Sequence, residues 1–436
     1  MRFNQSTSTK VLNFEGGQSY KLAPEIELYG IVCSSLLQDK FYEKVNPQIE
    51  RIIDLVKQVD SEFVAKLAVY ARTEMYLRSI PIVLTVELAK LGYNKLRSLT
   101  SKIILRPDEI TELLAYYQLS NKRTGRKKLN KLSNAIRRGI ADVLPRFDEY
   151  QLAKYDRSGE VKLRDALFLS HAKPKNKKQE DVFKRLADGK LITPDTWEVK
   201  IGELRKVGKS TKEAWEELVR GKKLGYMALL RNLVYMLLDK VNCNEEIIEQ
   251  LTDPEQIKRS KQFPYRFYTS YREVVKLNSF NKVKIIHALE EAIEVSFRAV
   301  KFWNPEESYM TLVDYSGSMN HKISDKSDIS LIDVAMLFGL LGARYGNMGV
   351  FATEFTLVDE AYDFSLSKLS LLRDKYHGGG ATYGHKAIEY MLNKNLNVDN
   401  VVIFTDCQLY GERHHEDADL VKLWAIYKER NPNTKL

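Results

Sequence analysis

Beyond Ser308 the chain alternates short apolar runs with helix-like segments, and the chief runs stop at a hydroxyl or an acid. Tyr309 to Val313 leads into Asp314-Tyr315-Ser316-Gly317-Ser318, and Val401 to Phe404 leads into Thr405-Asp406. Further strands are expected at Met348 to Ala352 and Phe355 to Val358. Helices are expected at 330–345, 365–374, 384–392 and 417–429. Apolar strands separated by amphipathic helices bury both sheet faces in a doubly wound α/β fold. Residues 305–436 are therefore expected to form such a domain. Open sheets of this kind collect their ligands beyond the carboxyl ends of the strands.

The loops at those ends carry one kind of chemistry. Asp314, Ser316 and Ser318 supply a carboxylate and two hydroxyls. Thr382 follows the glycine loop His377-Gly378-Gly379-Gly380, and Asp406 would act through a water. An all-oxygen set suits a hard cation, Mg2+ or another divalent ion. The bland alternative is a Ser/Gly turn that caps the following helix. As a hydrolytic site the set is poor, because no positioned base or second carboxylate pair accompanies it. His414-His415 open a polar loop. A single metal with an open position reads better as a docking point for a partner's carboxylate or phosphate.

Residues 20 to 300 read as one helix after another. Apolar positions recur at helical spacing in Ile49-Ile52-Ile53-Val56, Phe63-Val64-Leu67-Ala68-Ala71, Leu229-Leu230-Leu233-Val234-Leu237 and Ile285-Ile286-Leu289-Ile293. Breaks are expected at Pro47, Pro81, Pro107, Pro145, Pro174, Pro194, Pro254 and Pro264. Short amphipathic helices joined by short turns suggest an α-solenoid, although no strict period is visible.

Charge divides the two parts. Residues 301–436 hold 14 Lys and Arg against 19 Asp and Glu, so the whole chain's +10 leaves residues 1–300 at +15. A basic half of this kind suits a polyanion. The segment Asn121 to Arg138 has eight basic residues and no acid, among them Arg126, Lys127, Lys128, Arg137 and Arg138. Lys173, Lys175, Lys177 and Lys178 surround Pro174 and Asn176. With 24 Tyr and 17 Phe available for stacking, the combination favours single-stranded RNA over a merely solvated face. Three scattered cysteines give no disulfide or zinc pattern and fit a reducing, cytoplasmic setting. The first ten residues are polar, and the longest apolar stretch falls short of the about 20 residues a bilayer requires, so no membrane anchor is expected.

Three phrases carry a resemblance: Lys162-Leu-Arg-Asp-Ala-Leu-Phe-Leu-Ser-His-Ala-Lys-Pro174, Gly225-Tyr-Met-Ala-Leu-Leu-Arg-Asn-Leu233 and Phe263-Pro-Tyr-Arg-Phe-Tyr-Thr-Ser-Tyr-Arg272. In order and spacing they resemble the TROVE module of Ro autoantigen (Ro ribonucleoprotein) proteins. The domain after them resembles a von Willebrand factor A domain with its metal-ion-dependent adhesion site. The resemblance implies an α-solenoid ring of HEAT-like repeats over 1–304, mostly α overall, and a von Willebrand factor A-like α/β domain over 305–436. It also implies further strand and helix beyond Leu436. In the family, Y RNA binds the outer surface and single-stranded 3′ ends of misfolded or unprocessed noncoding RNA enter the central hole. Bacterial members work with exoribonucleases. The resemblance assigns His171 and Lys154 to the Y RNA surface. A second basic position there meets Ser158, with Arg157 beside it. It assigns the metal to Asp314, Ser316, Ser318, Thr382 and Asp406, with Ala381 separating Thr382 from the glycines where many relatives lack such a spacer. Arg231, Arg266 and Arg272 are expected on the inner wall from motif membership alone.

The expected protein is a non-enzymatic, monomeric RNA binder. Its rival is a scaffold whose metal site docks an acidic partner residue. A metal nuclease is disfavoured by the missing base and second metal.

Overall fold

A computed structural model describes residues 10–12, 18–34, 47–121, 132–156, 159, 161–300, 302–323, 327–359, 364–376, 379–409 and 420–436. Arg126, Lys127, Lys128, Arg157, Ser158, the His377-Gly378 pair and His414-His415 lie outside them. Near the start, β1 (Lys10–Leu12) pairs antiparallel with β2 (Gln18–Tyr20), a hairpin that apolar periodicity does not announce. Helices follow: α1 Pro24–Ser34, α2 Pro47–Gln58, α3 Ser61–Thr73, α4 Ser79–Lys90, α5 Leu96–Ile103, α6 Pro107–Ser120 and α7 Asn134–Val143. Next come α8 Glu149–Tyr155, α9 Leu163–Ser170, α10 Lys177–Asp188, α11 Trp197–Lys206 and α12 Thr211–Arg220. The helical run closes with α13 Tyr226–Leu238, α14 Asn244–Thr252, α15 Pro254–Ser260, α16 Pro264–Val274 and α17 Lys282–Ala299.

Local chemistry explains these boundaries. Asp60 caps α3 by accepting from the amides of Glu62 and Phe63, both at 3.0 Å. Val64, Leu67, Ala68 and Ala71 then bury one face at helical spacing. Pro47, Pro107, Pro254 and Pro264 each open a helix, where the missing N–H costs nothing. Pro81 is different: it sits in the first turn of α4 and interrupts no helix. Helices pack on near neighbours in sequence, α3 on α4, α5 on α7, α7 on α9 and α16 on α17, as a solenoid requires.

The α/β part is β3 Tyr309–Asp314, α18 Leu331–Gly342, β4 Gly346–Phe351, β5 Phe355–Leu357, α19 Leu366–Lys375, α20 His385–Asn393, β6 Asn400–Phe404 and α21 Leu420–Arg430. The sheet order is β5-β4-β3-β6, with β3 parallel to both neighbours and β5 antiparallel at the edge. Every residue of β3 is buried, as expected for the strand at the centre of a doubly wound sheet.

The helices give way to the sheet between Ala299 and Tyr309, but contacts group the chain otherwise. One compact unit comprises Leu22–Lys200; the other comprises Ile201–Leu436 with the β1–β2 pair. Within the second unit, α16 and α17 are tied directly to the α/β part. Trp303 lies 5.1 Å from the Phe297 ring and 4.9 Å from the Tyr309 ring. It also rests on Gly342 of α18, where a Cβ would come within 2.5 Å of the indole. Arg344 pairs with Glu294 at 3.0 Å, and the Leu366 amide donates to Glu290 at 2.8 Å.

Candidate metal centre and nucleic-acid interface

Because β3 is parallel to β4 and β6, with Asp314 opposite Phe351 and Val313 opposite Phe404, three strand ends open on one edge. Asp314 there has no exposed surface, and Ser316 and Thr382 are almost as buried. One Asp314 oxygen accepts from the Ser316 amide at 2.9 Å, and the other accepts from Thr405 Oγ1 at 2.6 Å. The hydroxyls of Ser316 and Ser318 stand 3.2 Å apart. The glycine loop is pinned to the same edge by the Tyr383 amide, which donates to the Ala352 carbonyl at 2.8 Å. Gly379 makes this docking possible, since a Cβ there would collide with Thr353.

Burial raises the proton affinity of Asp314, the hydrogen bonds from Thr405 and Ser316 lower it, and the nearby Asp406 carboxylate raises it again. A buried carboxylate whose neighbours are hydroxyls and a second acid gains most from a cation. The donors are all oxygen. Asp314, Ser316, Ser318 and Thr382 therefore fit Mg2+, with Asp406 able to hold a coordinated water. The ion would supply positive charge with an open position for a partner's anionic oxygen. We expect Mg2+ to raise the melting temperature of the chain, and Asp314→Asn to abolish that response without lowering stability in chelator. At a hundredfold excess over Kd the stabilisation is about 2.7 kcal/mol. A magnesium response that survives in the variant would place the ion elsewhere.

Sequence reasoning missed three contributors. Thr405 is the hydroxyl that actually meets Asp314. His321 holds the loop from below, with Nδ1 donating to the Ser318 carbonyl at 2.6 Å. The Tyr315 hydroxyl donates to the carbonyl of Arg373. The adjacency of Thr405 to Asp406 was a usable signal; the His321 contact is local, three residues from Ser318, whereas the Tyr315 bond to Arg373 is a tertiary contact with no signal in the sequence.

The basic residues are spread over several helices of the first unit. Arg137 is half-buried and Arg138 exposed on α7. Lys154, exposed on α8, lies 5.6 Å from the Tyr150 ring and 5.7 Å from the Tyr155 ring. Arg106 covers Tyr155 at 4.5 Å. His171 is exposed and ends α9 in the left-handed region, at φ 53° and ψ 39°, a conformation that suits glycine. Exposed Lys173, Lys175, Lys177 and Lys178 follow, the last two in the first turn of α10, where positive charge opposes the helix dipole.

In the second unit the three arginines part company. Arg231 is exposed on α13. Arg266 stacks over Tyr265 at 5.1 Å. Arg272, a third exposed, faces the buried Asp333 carboxylate at 3.7 Å.

The TROVE domain family matches residues 28–189 and 187–304. Telomerase protein component 1 of Mus musculus is 24% identical over 363 residues, 64% of this chain and 13% of that protein. The Rattus norvegicus protein of the same name is 22% identical over 344 residues, 60% of this chain and 13% of its own length. The chain thus spans a small part of these relatives. The crystal structure of the Deinococcus radiodurans Ro (RSR) protein superposes with a TM-score of 0.64 at 18% identity, covering 95% of this chain and 91% of that one. The mostly helical chain with a C-terminal mixed sheet shares that fold.

Proposed function

Because the chain belongs to the TROVE domain family, we propose that it is an RNA-binding protein of noncoding-RNA quality control. In this reading structured RNA of the Y type lies on the outer surface bearing His171 and Lys154. Single-stranded 3′ ends of misfolded RNA enter a central hole of the helical array. The protein acts without enzymatic activity, as a cytoplasmic monomer that presents RNA to an exoribonuclease, and it carries Mg2+ at Asp314.

One observation supports the reading above the others. Among the described residues, Arg164, Lys173, Lys175, Lys177 and Lys178 are exposed and none forms an ion pair, whereas nearby Arg97 and Arg185 hold Asp142 and Glu149, each at 2.7 Å. Cations that fold the protein are paired; these are not. A polyanion is the partner that neutralises several at once. Five phosphate contacts give a log–log salt slope of about −3.5 for single-stranded RNA. Changing the four lysines to alanine is expected to reduce that slope by about 3. Filter binding of RNA across a salt series reads both values, and a slope near zero in the unaltered protein overturns the proposal.

His171 separates binding from folding. Glycine adopts its backbone angles without steric cost, so His171→Gly is expected to hold stability within about 1 kcal/mol. The same change, combined with Lys154→Ala, weakens structured-RNA binding in a low-salt gel shift. Undiminished affinity removes these two residues from the interface.

A second reading, a scaffold that docks an acidic partner residue on the metal, is favoured by the all-oxygen donor set around Asp314. Its signature is association that a chelator abolishes and that salt barely alters.

A further inference from the structure

One exposed side chain on α9 is explained neither by packing nor by charge. Leu163, Ala166, Leu167 and Ser170 turn inward, and α9 packs on α6, α7 and α10. The opposite side carries Arg164 and Phe168 one helical turn apart, with His171 closing the next turn. Phe168 is 59% exposed. Isolated exposed apolar residues are common on protein surfaces and carry no message by themselves. This one is framed by Arg164 before it and by His171, Lys173 and Lys175 after it, and these side chains form no ion pair among the described residues.

We propose that Phe168 is a stacking platform for an unpaired nucleobase, with Arg164 and Lys173 holding the phosphates on either side of it. The proposal rests on the RNA-binding reading and adds that the nucleotide met at α9 is unpaired. A base inside a duplex has both faces covered by its neighbours and cannot meet a phenyl ring face to face. A base in a loop, bulge or single strand can. Phenylalanine has no hydrogen-bonding group, so the contact takes any base and reads no sequence. A lipid surface fits less well: interfacial helices present a broad apolar face, and α9 presents one ring set among cations.

The test uses the full chain and two probes, a short single-stranded oligoadenylate and the same strand annealed to its complement. Phe168→Ala is expected to weaken oligoadenylate binding roughly 5- to 150-fold, the range seen for loss of one base–aromatic stack, and to leave duplex binding unchanged. Phe168→Tyr restores the affinity, whereas Phe168→Leu, which keeps apolar bulk without a π face, does not. Alanine is the better helix former, so an unchanged melting temperature verifies that the variant is folded. Full affinity in the alanine or the leucine variant overturns the proposal while leaving RNA binding intact. If the unaltered chain binds neither probe, the RNA-binding reading falls with it.

Discussion

Replacing Glu109 with alanine is expected to cost about 3–5 kcal/mol, the largest single-residue effect in the first unit. Glu109 is 1% exposed. One of its oxygens accepts from Arg72 Nη2 at 2.6 Å, and the other accepts from the amides of Leu105 and Arg106 at 2.8 and 3.0 Å. Arg78 Nε stands 3.7 Å away. The carboxylate thus starts α6 and neutralises an arginine of α3 that burial would otherwise push towards losing its proton. Alanine leaves the buried Arg72 with its bond to the Ile103 carbonyl at 3.1 Å and no counter-charge. A typical domain has only about 5–15 kcal/mol in total, so urea denaturation followed by circular dichroism will show a large fall in midpoint. The companion double variant, Arg72→Met with Glu109→Leu, is expected to recover most of the loss, because a buried pair contributes little beyond an apolar replacement. A loss below about 1 kcal/mol in the single variant would contradict the assigned role.

Asp333→Ala is expected to be of similar size, through a different mechanism. Asp333 is the third residue of α18; one oxygen accepts from the amide and hydroxyl of Ser330, both at 2.8 Å. The other oxygen meets Arg373 of α19 and, at 3.7 Å, Arg272 of α16. The substitution removes a capping box and leaves two guanidinium groups facing each other, at about 3 kcal/mol or more. Hydrogen exchange should rise in α16 together with the first turn of α18. Arg272→Ala should cost clearly less, since Arg272 is a third exposed and Arg373 still covers the carboxylate. Equal costs for the two variants would rule out Asp333 as the shared anchor.

Asp333 and Arg272 also mark where reading a sequence stops. Arg272 belongs to a recognisable phrase, and membership suggested contact with RNA. Its partner is 61 positions further along the chain, in another kind of structure, and no local pattern announces it. Asp333, by contrast, carries a local signal in the Ser330-x-x-Asp333 capping box, which says nothing of its two arginine partners. The metal centre divides in the same way. Asp314, Ser316 and Ser318 were legible because strand periodicity and a hydroxyl-rich turn are local signals. The bond from Thr405 to Asp314 spans 91 residues and exists only because β3 and β6 are neighbours in parallel register.

Sequence alone determined the succession of amphipathic helices, the strands from Tyr309 onward, the oxygen-rich strand ends and the excess of positive charge before residue 300. Each depends on side-chain periodicity or composition, which neighbours along the chain decide. Only tertiary structure decided which cations are neutralised and which are left for a partner, which hydroxyl meets Asp314, and that Phe168 faces solvent. Those outcomes depend on which surfaces are brought within a few ångströms of one another, and burial is a property of the assembled helices, not of any one of them.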